Sequence, residues 1–94
     1  MPTTNFWNGI GNWTTTIANW SDGNPPDPTE IAEIQTGNNN LTTAAAIAGL
    51  QVDAPALLAL TAGAVLTDTG SATVAGNFQL TSGGSASVAG DFGG

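Results

Sequence analysis

Apolar and polar residues alternate through the second half of the chain. Ala72, Val74, Gly76, Phe78 and Leu80 fall on one face, and Thr73, Ala75, Asn77, Gln79 and Thr81 on the other. A period of two is the mark of a β-strand with one buried side. Ala86, Val88, Gly90 and Phe92 repeat the inward set, and Leu50 with Val52, Leu58 with Leu60, and Ala64 with Leu66 carry it back less regularly. Gly76 and Gly90 interrupt their strands and predict bends where a side chain does not fit. Asp68–Ser71 and Ser82–Ser85 read as turns from their Asp, Ser and Gly content. Thr43–Ala48 has fair helix propensity, but it is short and closes on Gly49, so strand is preferred.

The pattern repeats in detail. Leu66-Thr67-Asp68-Thr69-Gly70-Ser71-Ala72-Thr73-Val74-Ala75-Gly76-Asn77-Phe78 returns fourteen residues later as Leu80-Thr81-Ser82-Gly83-Gly84-Ser85-Ala86-Ser87-Val88-Ala89-Gly90-Asp91-Phe92. Short apolar strands separated by Gly/Ser turns and repeated in this way predict a solenoid. Antiparallel hairpins are the rival, but Asn-Gly and Asp-Gly turns are missing between these strands. A fourteen-residue offset is short for a coil of roughly 20 residues or more. It also fits two faces of a three-faced coil, and the sequence leaves both assignments open. The predicted fold class is therefore all-β: a right-handed parallel β-helix (β-solenoid) with a Trp-rich N-terminal cap.

Residues 1–40 differ from the rest. They hold Trp7, Trp13 and Trp20, most of the Pro and most of the Asn, and Gly37-Asn38-Asn39-Asn40 reads by composition as a turn or loop. The expected organisation is a cap region over 1–40 and β-solenoid coils over 41–94. A solenoid needs about three stacked units. The coils are therefore expected to continue beyond the C-terminus, in a longer protein of which this chain is the N-terminal piece.

Charge narrows the partners. The chain has no Lys, Arg or His, and seven acids give a net charge of −7. Phosphate backbones and anionic membrane surfaces are bound by Lys and Arg, so neither nucleic acid nor an anionic membrane surface is an expected partner. There is no Cys, which excludes disulfide and thiolate–metal frameworks. Met1-Pro2-Thr3-Thr4-Asn5 offers neither a basic nor an apolar leader segment. Leu, Ile, Val and Phe make up about a fifth of the chain, at the compositional edge of disorder. Their periodicity argues for a folded domain.

Four groups of residues invite a chemical reading. The three Trp can form a sugar-binding platform, or they can cover the open strand edges and core of a first coil; the capping need favours the cover. Asp22, Asp27 and Glu30 gather oxygen ligands around Gly23-Asn24, but their spacing fits no calcium loop, and a solvated turn leading into a strand is preferred. Asn12-Trp13-Thr14, Asn19-Trp20-Ser21 and Asn40-Leu41-Thr42 match the N-glycosylation acceptor, as an Asn- and Thr-rich chain does by chance. Thr67-Asp68-Thr69 becomes Thr81-Ser82-Gly83, so no Thr array of the ice-binding kind is kept from copy to copy. For catalysis the usual nucleophile–base partners are missing. A glycosidase needs only two carboxylates, and Asp53, Asp68 and Asp91 are the candidates to line one face, but Asp68 becomes Ser82 and Asp91 replaces Asn77, as turn residues do. No enzyme activity, catalytic residue, cofactor-binding residue, metal ligand or cofactor is expected in this span.

Trp7-Asn8-Gly9, Gly11-Asn12-Trp13, Asn19-Trp20-Ser21, Pro25-Pro26 and Thr29-Glu30-Ile31-Ala32-Glu33-Ile34 form an ordered series. After it come Ile47-Ala48-Gly49-Leu50-Gln51-Val52 and the Leu-Thr and Val-Ala-Gly repeats. This order resembles the start of the passenger regions of Gram-negative autotransporter and filamentous-haemagglutinin-like adhesins. The resemblance implies a right-handed parallel β-helix that is secreted or displayed at the cell surface. It further implies a structural stalk for adhesion, aggregation or biofilm formation, with host or bacterial surface glycans or proteins as partners. Two alternatives stand beside it. One is a self-assembling extracellular filament subunit that associates through open solenoid ends. The other is the N-terminal part of a β-helix carbohydrate-active enzyme whose catalytic coils lie beyond Gly94.

Overall fold

The computed structural model describes residues 3–81 and 83–93. The strands in chain order are β1 (Thr3–Asn12), β2 (Glu30–Leu41), β3 (Ala44–Ile47), β4 (Gly49–Val52), β5 (Leu57–Leu60), β6 (Val65–Asp68), β7 (Ala72–Val74), β8 (Asn77–Leu80), β9 (Ser85–Val88) and β10 (Phe92–Gly93). One turn of 3₁₀ helix, Ile17–Asn19, lies between β1 and β2. Every ladder between these strands is parallel. The hairpin alternative is thereby excluded, and the chain is a parallel β-solenoid of about three turns.

Three faces run down the solenoid. The first stacks the leading halves of β1 and β2, then β4, β7 and β10. The second stacks the trailing halves of β1 and β2, then β5 and β8, and the third stacks β3, β6 and β9. Leu57 lies over Asn77, Val65 over Ser85 and Ala72 over Phe92, which sets the last coil at twenty residues, while the steps above it run from eighteen to twenty-two. The fourteen-residue repeat is thus strand-to-strand. Leu66 lies over Ala86 on the third face, whereas its copy Leu80 lies under Leu60 on the second. Fourteen residues carry the chain two strands forward in a three-stranded coil.

Period two places every other residue inside, and stacking then makes columns. Ala32, Leu50 and Ala72 form one, Ile34, Val52 and Val74 another, and Leu41, Leu60 and Leu80 a third. The upper members are fully buried. Leu50, Val52, Leu58, Leu60 and Leu66 all sit inside, as the alternation predicts. Asn39 interrupts the second-face column above Leu58, and its buried amide has no hydrogen-bond partner.

The structure corrects two readings. Gly37-Asn38-Asn39-Asn40 is strand within β2, with Asn39 buried. Composition misleads there because the fold turns its corner inside a continuous strand, where Gly9 of β1 stacks on Gly37 of β2. Asp68 is the last residue of β6 and is buried, so the turn proper begins at Thr69. Its side chain points in but reaches round to accept a hydrogen bond from the Gly70 N–H at 2.9 Å, which starts the corner. Two other local expectations hold. Ala44–Ile47 is strand. A Cβ on Gly76 would lie 2.4 Å from the Ala56 carbonyl oxygen, and one on Gly90 2.7 Å from Ser71 Oγ. Ser82, the first residue of the second predicted turn, lies outside the described residues, as do Met1, Pro2 and Gly94.

Candidate functional site

The upper end of the solenoid is closed by its tryptophans. Trp7 on β1 points inward, and the chain leaving β1 folds back so that Trp20 meets it in an antiparallel bridge. Trp20 packs edge-to-face on both neighbours, with ring centroids 5.1 Å from Trp7 and 5.0 Å from Trp13. Its Nε1–H donates to the Trp13 carbonyl at 2.9 Å, which satisfies the one polar atom of a buried indole. All three rings are within 2 % of full burial. A sugar platform needs an exposed ring face, and these rings present none. Buried Asn5 ties the cap to β1: its Nδ2 donates to the Asn24 carbonyl and its Oδ1 accepts from the Asp22 N–H and Ser21 Oγ.

The acidic loop is occupied with itself. Asp27 Oδ1 accepts from the Thr29 N–H and hydroxyl, which holds the Asp27 carboxyl below its usual range. Glu30 Oε1 accepts from the Asp27 N–H. The loop is a turn that leads into β2, the simpler of the two readings. Among the described residues no three Asp or Glu gather as metal ligands do. Two of the three glycosylation motifs have their amide engaged: Asn12 Nδ2 donates to Thr42 Oγ1, and Asn19 Nδ2 to the Ile10 carbonyl. No Thr column runs down the third face, where Thr67 lies between Ala46 and Ser87. No helix among the described residues is long and apolar enough to cross a membrane.

Asp53, Asp68 and Asp91 do not form a cluster. Asp68 is inside, Asp91 is exposed at the corner before β10, and Asp53 follows β4 at the corner between the first and second faces. Asp53 instead meets Glu33 of the coil above. Desolvation, then the hydrogen bond and charge of Asp53, push the Glu33 carboxyl above its usual range, while a hydrogen bond from Gln35 opposes them. Amides continue this line on both sides: Gln51 Nε2 donates to Asp53 Oδ1 at 2.8 Å, and Asn8 Nδ2 donates to Gln35 Oε1 at 2.8 Å. The sequence did not reveal this pair, because it depends on the eighteen-residue step from Ile31 to Gly49 and not on the visible fourteen-residue repeat. Chemically, the nearby Asp53 favours the protonated form of Glu33.

Burial also pushes the Asp68 carboxyl above its usual range, partly offset by the Gly70 N–H. A raised carboxyl binds its proton more tightly folded than unfolded, so stability falls as pH rises from about 4 through the folded pKa. Asp27 works the other way, contributing stability above about pH 4 that is lost below it. With no Lys, Arg or His, acidification removes repulsion without creating any side-chain cation. The chain is therefore expected to melt at a higher temperature at pH 4 than at pH 7. In Asp68→Asn, thermal melts across that interval should show a shallower pH dependence.

The lower end of the solenoid differs from the capped one. Leu80 and Phe92 occupy inward columns, yet they are 53 % and 57 % exposed. Phe78 and Phe92 stack with centroids 6.1 Å apart and planes 10° from parallel. With Val74 and Val88 they line an open apolar concavity of about 750 Å³. The inward alternation predicted these side chains, which lie on the last strands of their stacks among the described residues.

These features define a capped parallel β-solenoid with one apolar end face. Comparison with protein-family models, with curated proteins and with solved structures finds no match to this chain.

Proposed function

We propose that this chain is a structural stalk segment of a secreted or surface-displayed adhesin, of the Gram-negative passenger kind that the sequence resembles. The observation that carries the proposal is the continuous inward packing under a sealed Trp cap, from Trp7 through Ile34 and Val52 to Val74. A stacked core joined by parallel backbone ladders makes a stiff rod, because each coil is fixed by its neighbours. The outward faces carry short polar side chains that bond mainly to one another, as in the line Asn8–Gln35 and Gln51–Asp53. Such surfaces suit a spacer that holds binding regions away from the cell. The filament-subunit alternative is less favoured, since open-ended stacking needs two free ends and Trp13 and Trp20 cover the core at one of them. The carbohydrate-active-enzyme alternative draws no support from the Glu33–Asp53 contact.

The test is a replacement in the cells that make the protein. Deleting this segment from the parent gene should abolish adhesion or autoaggregation, and an unrelated capped β-solenoid of equal length should restore it. Failure of the substitute to restore adhesion, with display at the surface intact, would mean that this segment itself binds the target.

A further inference from the structure

On the second face we infer a binding surface for a neutral polysaccharide. Two columns of outward side chains run down it. One is Ile10, Asn38, Leu57 and Asn77, and beside it stand Asn40, Ala59 and Gln79. Strands about 4.8 Å apart space the members evenly, so the first column spans about 14 Å. Ile10 is 75 % exposed, the four amides are exposed, and Leu57 is half-buried between Asn38 and Asn77. The face lies along the flank of the solenoid, so a coil stacked at either end lies beside it and not over it.

The amides set this face apart. Asn8, Asn12, Gln35 and Gln51 are each tied to another side chain, whereas Asn38, Asn40, Asn77 and Gln79 have no side-chain hydrogen bond among the described residues. Each of these four therefore presents a carbonyl acceptor and two N–H donors to the outside. Down the first column apolar and amide side chains alternate, Ile10 with Asn38 and Leu57 with Asn77.

Charge and chemistry select the occupant. None of the seven acids lies in residues 38–41, 57–60 or 77–80, so a cation meets no carboxylate on these strands. With no Lys, Arg or His, an anionic ligand finds no partner and is repelled by a net charge of −7. A protein partner is usually anchored through Trp, Tyr or Arg, and these strand segments hold none of them. An apolar surface would strip water from the four amides without replacing its hydrogen bonds. A neutral polysaccharide meets both parts of the pattern. Its hydroxyls donate and accept as the amides do, and the C–H faces of its sugar rings pack on Ile10 and Leu57. The inference concerns the flank of the rod and is independent of the stalk proposal.

Affinity electrophoresis of the 94-residue chain tests it. Native gels are cast with rising amounts of hydroxyethyl cellulose, dextran or galactomannan, all neutral. Mobility relative to a non-binding reference protein should fall in at least one of the three. Carboxymethyl cellulose, an anionic glucan, should not retard the chain. Asn38→Ala and the double variant Asn77→Ala/Gln79→Ala, at exposed positions and with the fold intact by circular dichroism, should each weaken binding about fivefold or more, as loss of one or two hydrogen bonds does. Ser85→Ala/Ser87→Ala, on the third face, should leave binding unchanged. Unchanged mobility in all three neutral gels would overturn the inference. Equal retardation by carboxymethyl cellulose, or binding that survives both sets of amide changes, would overturn it as well.

Discussion

Trp20→Ala is expected to cost about 3–5 kcal/mol, the usual loss for truncating a buried large aromatic. A chain of this size has a total stability of about 5–14 kcal/mol, so the variant sits near the threshold of folding. Three losses combine. The ring leaves two edge-to-face partners, Trp7 and Trp13. The Trp13 carbonyl loses its buried donor. The void opens over the core at the capped end of the solenoid. Trp20→Phe keeps an aromatic ring and loses the Nε1 hydrogen bond, and should cost about 1–2 kcal/mol. Thermal unfolding followed by circular dichroism should show a drop of about 15–30 °C for the alanine variant. If Trp20→Ala melts like the parent protein and loses only glycan binding, the cap is not what holds this end together.

The three tryptophans were legible as a cover because a solenoid's first coil must be sealed whatever its sequence. Their mutual geometry was not, since it depends on Asn5 drawing the Ser21–Asn24 stretch back over β1 through hydrogen bonds spanning sixteen to nineteen residues. The alternation at Ala72–Leu80 and Ala86–Phe92 placed the inward residues, because period two is a local property of the backbone. Coil length was not legible in the same way. The chain advertises fourteen residues because alternate strands share a sequence, while the ladder joins residues twenty apart. Any contact between coils therefore stayed hidden, including Glu33 with Asp53. Asp68 misled for a related reason: an Asp between Thr residues and before a Gly reads as a turn, but its side chain is inside and only its oxygen serves the turn.

Gly37→Ala should be among the most damaging single-methyl additions to this chain, and Gly63→Ala is its control. Both glycines have φ at +77°, where an L-residue costs about 1–2 kcal/mol. A Cβ on Gly63 meets nothing within 4 Å. Gly63→Ala therefore carries the conformational term alone, a drop of about 4–16 °C in melting temperature. A Cβ on Gly37 would lie 1.9 Å from the Gly9 carbonyl oxygen, a backbone atom of the strand stacked above. Relief requires β1 to lift from β2 at the point where both strands turn their corner, and β1 carries Trp7 into the cap. Gly37→Ala should thus lose at least twice the melting temperature of Gly63→Ala and expose tryptophan to solvent before the lower coils melt. Equal losses in the two variants would mean that Gly9 does not stack on Gly37, and the register joining the cap to the first coil would have to be redrawn.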